Sequence, residues 1–194
     1  VNIVDADVSV ITNIDIDHQG WLGDTRECIA IEKAGIARKG RPLVIGDDNP
    51  PSTLIDEIAR LGAHPIWLAD ALDTDNALSV HGVQLDSGNS CPWQGVDRRG
   101  VRIERRFALS ACQHYEGVWS NLSSAVQAYV LLTGQMPSGE QLEHVVAQPV
   151  LGRLSSHHYQ GQRVVLDVAH NWQSVSHLLH RLKQPDLAKT RKIG

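Results

Sequence analysis

The 194-residue sequence predicts an α/β fold: a parallel sheet with helices and a small antiparallel subsheet, followed by the start of a second domain. Three observations support this prediction. In the first third of the chain, β-branched runs alternate with helical patterns, as in strand–helix–strand units. In the middle, strand-like segments surround a polar stretch. A new strand–helix pattern then follows the segment Pro149–Gly152.

The predicted parallel sheet has three strands, and two helices connect them. The run from Asp7 to Asn13 is typical of a buried parallel strand. A helix is predicted from Thr25 to Arg38, and a short strand from Pro42 to Gly46. The next helix lies between Pro50 and Gly62, where apolar residues recur at helical spacing and glycine ends the pattern. Pro65 to Ala69 is the third strand.

The middle of the chain has a different character. Ala77–Leu85 and Val101–Leu109 are strand-like, and the polar, glycine-rich stretch Asp86–Gly100 separates them. We expect the two strand-like segments to form the antiparallel subsheet beside the parallel one.

Two helices are predicted next, from Val118 to Thr133 and from Gly139 to Ala147. Ser138 precedes the second helix and Gln141 follows three residues later. This spacing predicts a capping box, in which each side chain bonds the backbone N–H of the other residue.

A second domain is predicted after this helix. Pro149–Gly152 is the best candidate linker, Arg163–Val168 is a predicted strand, and Trp172–Leu182 is a predicted helix. We therefore predict a first domain at residues 1–148 and the beginning of a second at 149–194.

Composition excludes several classes of function. The net charge of −4 gives no electrostatic case for binding nucleic acid. No apolar run approaches the roughly 18 residues that span a bilayer, and no signal peptide is visible. The three cysteines (Cys28, Cys91 and Cys112) are far apart, so neither a disulfide framework nor a zinc site is implied. The expected location is the cytoplasm.

A polar cluster follows the first predicted strand. Asp15, Asp17 and His18 could share a divalent cation, because carboxylate oxygens suit Mg²⁺ and imidazole suits softer metals. Such a pair of carboxylates could equally cap backbone N–H groups in a polar loop. On these residues alone, a metal-dependent glycosyltransferase is also open.

Lys33 adds a second chemical group to this region. It lies in a helix pattern with little polar surface around it. One interpretation is a lysine that reaches water or pairs with Glu32. The other is a lysine buried near a metal, where its amine is pushed toward the neutral form that reacts with CO₂. A carbamylated lysine is a long carboxylate that can orient metal-bound water.

The run from Val4 to Ile36 (VDADVSVITNIDIDHQGWLGDTRECIAIEKAGI) closely resembles the bifunctional folylpolyglutamate synthase/dihydrofolate synthase family of the Mur ligase superfamily. Three further matches follow in the family's order: Asn121, Gly152–Leu154 and Asp167–Asn171. The resemblance implies a Mur-ligase-type central ATPase domain followed by the start of a Rossmann-like C-terminal domain that ligates glutamate.

The resemblance also implies a reaction and its partners. ATP phosphorylates a dihydropteroate or folate carboxylate, and the amine of L-glutamate attacks the acyl phosphate. Phosphoryl transfer needs positioning and charge neutralisation, which two Mg²⁺ ions supply; K⁺ is a further expected cation. The partners would be small molecules, without nucleic acid or membrane, and the protein would be a monomer.

By the same resemblance, His18 ligates the second Mg²⁺, and Lys33 is the carbamylated lysine that positions this metal through water. Asn121, Arg153 and Asp167 contact ATP; a guanidinium such as that of Arg153 suits a phosphate because its donors are paired and planar.

Purely structural roles are also possible for the residues that the resemblance assigns to ATP contacts. Arg153 could form a surface ion pair, Asn121 could cap a helix, and Asp167 could cap the helix that follows it. His170 is a weaker candidate for a nucleotide contact. Trp21 could line a pterin site or simply pack.

The sequence departs from the family in three respects. Leu154 stands where the family usually has phenylalanine, and Trp172 stands where it usually has proline. No GxxxxGK[ST] sequence occurs. We expect that phosphate-binding loop, and a glutamate that shares the metal with His18, to precede Val1 in a longer protein. The isolated chain is expected to be inactive.

Two alternatives remain open. One is another Mur-superfamily ligase that adds an amino acid to a UDP-sugar peptide. The other is a non-catalytic scaffold that retains the fold.

Overall fold

A computed structural model describes most of the chain, which forms two compact units, Val1–Val146 and Ala147–Gly194. The assignment of residues 1–148 and 149–194 to a central and a C-terminal ligase domain stays a prediction. The described residues are 2–16, 23–68, 78–79, 90–108, 116–148, 152–170 and 172–183.

A parallel sheet of four strands organises the first unit. The strands are β1 (Ser9–Ile11), β2 (Pro42–Ile45), β3 (His64–Trp67) and β4 (Leu78–Ser79), in that spatial order. The first three were predicted at these places, with longer bounds. The assignment of Ala77–Leu85 to the antiparallel subsheet was wrong for its described part, because Leu78–Ser79 pairs in parallel with β3.

Helices α1 (Arg26–Ala34) and α2 (Ser52–Leu61) share a hydrophobic core with alternate sheet residues. Those sheet residues are Ile11, Leu43, Ile45 and Trp67. Thr25 caps the start of α1, since its side chain accepts from the Cys28 N–H. This helix ends at Gly35, earlier than the predicted Arg38, where the chain continues through turn hydrogen bonds.

The side chains on the other face of the sheet pack against helix α3 (Glu116–Thr133). Val10, Val44 and Ile66 are neighbours across the sheet, and they belong to a second core that includes Leu131 of α3. The sheet is thus covered by helices on both faces, as its apolar strands predict. Among the described helices, none combines the length and apolar character needed to cross a membrane.

The antiparallel subsheet consists of β5 (Ser90–Val96) and β6 (Arg102–Ala108). Its first strand lies within the stretch predicted to be a polar connection, so that prediction was wrong. Cys91 and Trp93 alternate toward a core with Phe107, which is the period-two signal of a half-buried strand. Gln127 of α3 binds both backbone groups of Val96, accepting from its N–H at 3.0 Å and donating to its carbonyl at 2.8 Å.

Helix α4 (Gly139–Ala147) has the bounds that the sequence predicts, and the capping box is confirmed. The Ser138 N–H donates to Gln141 Oε1 at 2.8 Å, and the Gln141 N–H donates to Ser138 Oγ at 3.1 Å. These two bonds satisfy backbone donors that a helix N-terminus leaves without partners.

The second unit contains an antiparallel hairpin, β7 (Ser155–Tyr159) and β8 (Gln162–Leu166), followed by helix α5 (Trp172–Leu182). The sequence predicts β8 and α5 but not β7. The β7 strand is mostly polar and exposed, so it carries no apolar alternation. Its pairing is set by the Gln160–Gly161 turn, in which both residues have positive φ, as tight hairpins require.

Candidate active site at the carboxyl edge of the sheet

The carboxyl ends of β1 and β2 meet at one edge of the sheet, and the predicted chemical residues begin there. In open α/β sheets this edge is where ligands bind. The Gly46 N–H donates to the Ile11 carbonyl at 2.8 Å, so the two strand ends continue side by side.

Lys33 lies beside the end of β1. Its Nζ donates to the Asn13 carbonyl oxygen at 2.7 Å, which ties helix α1 to the strand end. The side chain is half-buried, so its burial is compatible with either interpretation of the sequence. Lys33, Thr12 and Asn13 line an open pocket of about 310 Å³, together with Glu32.

This geometry is compatible with a carbamylated lysine. A carbamate retains one N–H, which can still donate to the Asn13 oxygen. The adjoining pocket offers space for the added carboxylate. Within the described ranges, no group of three or more His, Cys, Asp and Glu side chains is placed to hold a metal ion.

Several predicted residues of this region lie outside the described residues: Asp17, His18 and Trp21. Asp15 is described, and its Oδ1 accepts from the Ile16 N–H at 2.8 Å. The carboxylate of Asp15 thus shapes the loop locally, as the structural alternative for this residue predicts.

Arg26 and Asp47 form a polar hub at the same edge, and sequence analysis missed both. Asp47 Oδ2 accepts from the Ile14 N–H, while Arg26 Nε donates to the Ile14 carbonyl at 2.8 Å. Arg26 and Asp47 also pair directly, with 3.3 Å between Nη2 and Oδ1. One signal could have found Asp47: it follows the second strand closely, as the polar residue Asn13 follows the first.

Helix α3 approaches this edge through Ser120, whose Oγ donates to the Gly46 carbonyl at 3.2 Å. A Cβ added to Gly46 would lie 2.6 Å from Ser124 Oγ and 3.1 Å from the Thr12 carbonyl, so the approach requires glycine. Asn121 is the next residue after Ser120 and is exposed. It lies in the second turn of α3, not in the first turn that the capping alternative needs.

Arg153 and Asp167 lie in the second unit. Asp167 Oδ2 accepts from the Leu154 N–H at 2.9 Å, and Oδ1 accepts from the Ala169 N–H at 2.8 Å. Asp167 therefore links the end of β8 to a turn in which Gly152 and Leu154 both have positive φ. Arg153, the middle residue of that turn, is exposed.

His170, the weaker candidate for a nucleotide contact, lies in the same unit. Its Nδ1 lies 2.9 Å from the Val168 carbonyl, and its backbone N–H donates to Ser174 Oγ at 3.1 Å. These contacts give His170 a local role in the start of α5.

Comparison with known proteins supports the resemblance stated above. The dihydrofolate synthase/folylpolyglutamate synthase of Escherichia coli strain K12 is 31% identical over 183 residues, which cover 94% of this chain and 38% of the relative. No protein-family model matches the chain.

Two solved structures share the fold. E. coli FolC in complex with DHPP and ADP has a TM-score of 0.68 at 26% identity, covering 99% of this chain and 41% of that one. A bifunctional folylpolyglutamate synthase/dihydrofolate synthase with Mn, AMPPNP and L-glutamate bound has a TM-score of 0.67 at 29% identity, covering 94% and 40%.

Across most of its length, this chain is a homologue of the dihydrofolate synthase/folylpolyglutamate synthases. This chain spans about two fifths of the length of the relatives that it matches. Its fold is confirmed as the mixed α/β arrangement of the FolC structures, with parallel and small antiparallel sheets.

Proposed function

We propose that the protein containing this chain is an ATP-dependent ligase that joins L-glutamate to dihydropteroate, to folate polyglutamates, or to both. An acyl phosphate on the acceptor carboxylate would be the intermediate. The observation that carries the proposal is the Lys33–Asn13 contact at the carboxyl edge of the sheet, in a chain that is 31% identical over 183 residues to a dihydrofolate synthase/folylpolyglutamate synthase.

Lys33 and His18 would hold the metal side of the site. The helix α1 fixes Lys33 at the strand end, and His18 follows that strand by seven residues in the sequence. A carbamate on Lys33 would add an anionic group beside the pocket. Two Mg²⁺ ions, with K⁺ as a further cation, would neutralise phosphate charge. The Mn and AMPPNP in a relative's structure support a divalent metal and a nucleotide.

Asn121, Arg153 and Asp167 would contact ATP. The guanidinium of Arg153 is exposed and therefore accessible to a phosphate. Asp167 already binds two backbone N–H groups, but each carboxylate oxygen can accept more than one hydrogen bond. Asp167 could thus hold the Arg153 turn and contact a ribose hydroxyl at once.

The protein would act as a monomer, as the family resemblance implies. The absence of a cysteine framework in the sequence favours a cytoplasmic setting. Residues 1–148 would be the C-terminal part of the central ATP-binding ligase domain, and residues 149–194 would be the beginning of the C-terminal glutamate-ligase domain.

The test is ligation by the complete gene product that contains this chain. Turnover that requires ATP, L-glutamate and either dihydropteroate or tetrahydrofolate would support the proposal. Turnover with a UDP-sugar peptide instead would favour another amino-acid ligase, and no turnover with any acceptor would favour the scaffold alternative.

Lys33→Ala tests the proposed role of this lysine within the same assay. We expect ligation to fall about 100-fold, as for loss of a metal-positioning group, with little change in melting temperature. The matched control is Lys39→Ala, which removes an exposed lysine of the same segment. Wild-type activity in Lys33→Ala would remove Lys33 from the site. After labelling with ¹³C-bicarbonate, a carbamate ¹³C NMR signal that is present in wild type and absent in Lys33→Ala would identify the modified lysine.

A further inference from the structure

We propose that Arg26 and Asp47 are positioning residues for the metal side of the ligase site, and that they act through the backbone of Ile14. This inference rests on the proposed function, because it concerns how the site is held for that reaction. Neither residue belongs to the set that the sequence resemblance assigns to the site.

The pair binds both backbone polar groups of one residue. Asp47 Oδ2 accepts from the Ile14 N–H, and Arg26 Nε donates to the Ile14 carbonyl at 2.8 Å. A neighbouring strand would bind a residue in the same two-sided way, but β1 ends at Ile11. The two side chains therefore extend the hydrogen bonding of the strand by three residues beyond its end.

Two bonds to the backbone of Asn49 and one between Arg26 and Asp47 hold the hub in place. Asp47 Oδ1 accepts from the Asn49 N–H at 2.9 Å and from Arg26 Nη2 at 3.3 Å. Arg26 Nη2 also donates to the Asn49 carbonyl at 2.8 Å. The side chain of Asp47 is 7% exposed and that of Arg26 31%, so water competes little for the carboxylate. Both side chains are fixed by several charge-assisted bonds, which makes the hub rigid.

Ile14 is the point at which this rigidity reaches the proposed site. The residue before it, Asn13, supplies the carbonyl that holds Lys33, and His18 follows four residues after it. The side chain of Ile14 is 2% exposed and packs in the core with Ile29 and Leu54. A shift of Ile14 would move both the Lys33 acceptor and the start of the segment that leads to His18.

Some residues do not bind a metal themselves but hydrogen-bond its ligands and orient them. Removing such a residue typically lowers metal affinity or activity by about 10- to 100-fold. Asp47→Asn is the sharpest variant here, because it keeps the shape and one acceptor oxygen but removes the charge that pairs with Arg26. Arg26→Lys is the second variant: it keeps the charge, yet one ammonium cannot reproduce the fork of donors to Ile14, Asn49 and Asp47.

The matched control is Glu57→Gln. Glu57 pairs with Arg60 within α2, at 2.6 Å between Oε1 and Nη2. It is also an acid paired with an arginine, and the hydrogen bonds described for its carboxylate come from Arg60 rather than from the hub. The same neutralising change should therefore be silent at Glu57.

The experiment measures Mn²⁺ affinity by electron paramagnetic resonance in the complete gene product with AMPPNP, alongside the kcat and KM of ligation. We expect Asp47→Asn and Arg26→Lys to weaken Mn²⁺ binding about tenfold and to lower kcat about tenfold. The KM for glutamate should change less than about twofold, and Glu57→Gln should match wild type. All measurements are made at least about 15 °C below the melting temperature of each variant.

Unchanged Mn²⁺ affinity in both hub variants, with an active wild-type enzyme, would overturn the positioning role and leave the proposed function intact. A lower melting temperature without a change in affinity or kcat would also overturn it, since the hub would then only stabilise the fold. If Asp47→Asn does not fold, Arg26→Lys alone decides. A wild-type protein that ligates nothing would contradict the proposed function itself.

Discussion

Asp47 and Asp167 form the same local motif in the two units of the chain. Each lies just after a strand, and each accepts from the backbone N–H two residues later, which is Asn49 or Ala169. Each also accepts from a backbone N–H distant in sequence, that of Ile14 or Leu154. An aspartate can form this motif because its short side chain reaches the backbone on both sides.

The surroundings of the two aspartates differ. Asp47 is 7% exposed and pairs with Arg26, whereas Asp167 is half-buried. A hydrogen bond shielded from water is costlier to lose, because the partner left behind cannot be solvated. The comparison teaches that burial, not the motif, sets how strongly each aspartate stabilises its region. Sequence analysis gave a role to Asp167 and none to Asp47.

The largest expected effect belongs to Asp47→Ala. This change leaves the buried Ile14 N–H without its acceptor and leaves Arg26 without its carboxylate. We expect the free energy of unfolding to fall by about 3 kcal/mol, measured by urea denaturation of the complete gene product. Ile14 fluctuations should rise with it, seen as faster amide exchange. A loss below about 1 kcal/mol would show that water reaches this site more freely than the burial of Asp47 indicates.

Asp167→Ala should have a smaller effect on stability. Half-buried N–H groups regain water once the carboxylate is gone, so we expect a loss of about 1 kcal/mol in the same denaturation experiment. The Arg153 turn should loosen, since Leu154 holds a positive φ of 46° beside the bond that is lost. The KM for ATP should therefore rise.

The Asp167→Ala result has one matched control. Asp97→Ala removes a half-buried carboxylate that accepts from the Arg99 and Val101 N–H groups, so it tests a similar loop in the first unit without a proposed ATP contact. If Asp167→Ala destabilises the protein as much as Asp47→Ala, the argument from burial is wrong. If the KM for ATP does not change, Asp167 is a structural residue alone.

The smallest effect is expected for Glu57→Gln. The hydrogen bond from Arg60 lowers the pKa of the Glu57 carboxyl below its ordinary value. Its stabilising contribution is therefore present above the unfolded-state pKa and is lost as the pH falls through the folded-state pKa. For such a solvated pair we expect a change in melting temperature of about 1 °C at neutral pH.

Thermal unfolding of wild type and Glu57→Gln at several pH values checks this expectation. The difference between the two proteins should disappear in acid, where the native carboxyl is protonated as well. A difference that grows toward acid pH would contradict the sign of the pKa shift. Among the variants compared here, we therefore expect the smallest loss of stability at Glu57 and the largest at Asp47.

Much of the fold could be predicted because the signals are local. β-branched runs identify β1 to β3, Gly62 ends α2, and the Ser138–Gln141 pair marks the start of α4. The strands β5 and β7 were missed for different reasons. In β5 the alternation of Cys91 and Trp93 was present but lay within a polar composition, while β7 has no apolar alternation at all.

The candidate site was predicted only in part. The Val4–Ile36 run pointed to Lys33, and the structure brings its Nζ to the Asn13 carbonyl. The proposed catalytic, metal and ATP roles all stay predictions; they concern His18, Lys33, Asn121, Arg153 and Asp167. Nothing local in the sequence indicates that Arg26 and Asp47, 21 residues apart, would meet at Ile14.

The sequence by itself determined the α/β class, most helix and strand positions and the likeness to the folate-dependent ligases, because periodicity, capping residues and motifs act over a few neighbouring residues. Only the tertiary structure decided which polar groups share the carboxyl edge of the sheet and which aspartate is buried. Those facts depend on strand order and on contacts between residues distant in sequence. The free energy of a hydrogen bond or an ion pair depends on its burial, and burial is a property of the tertiary structure rather than of the local sequence.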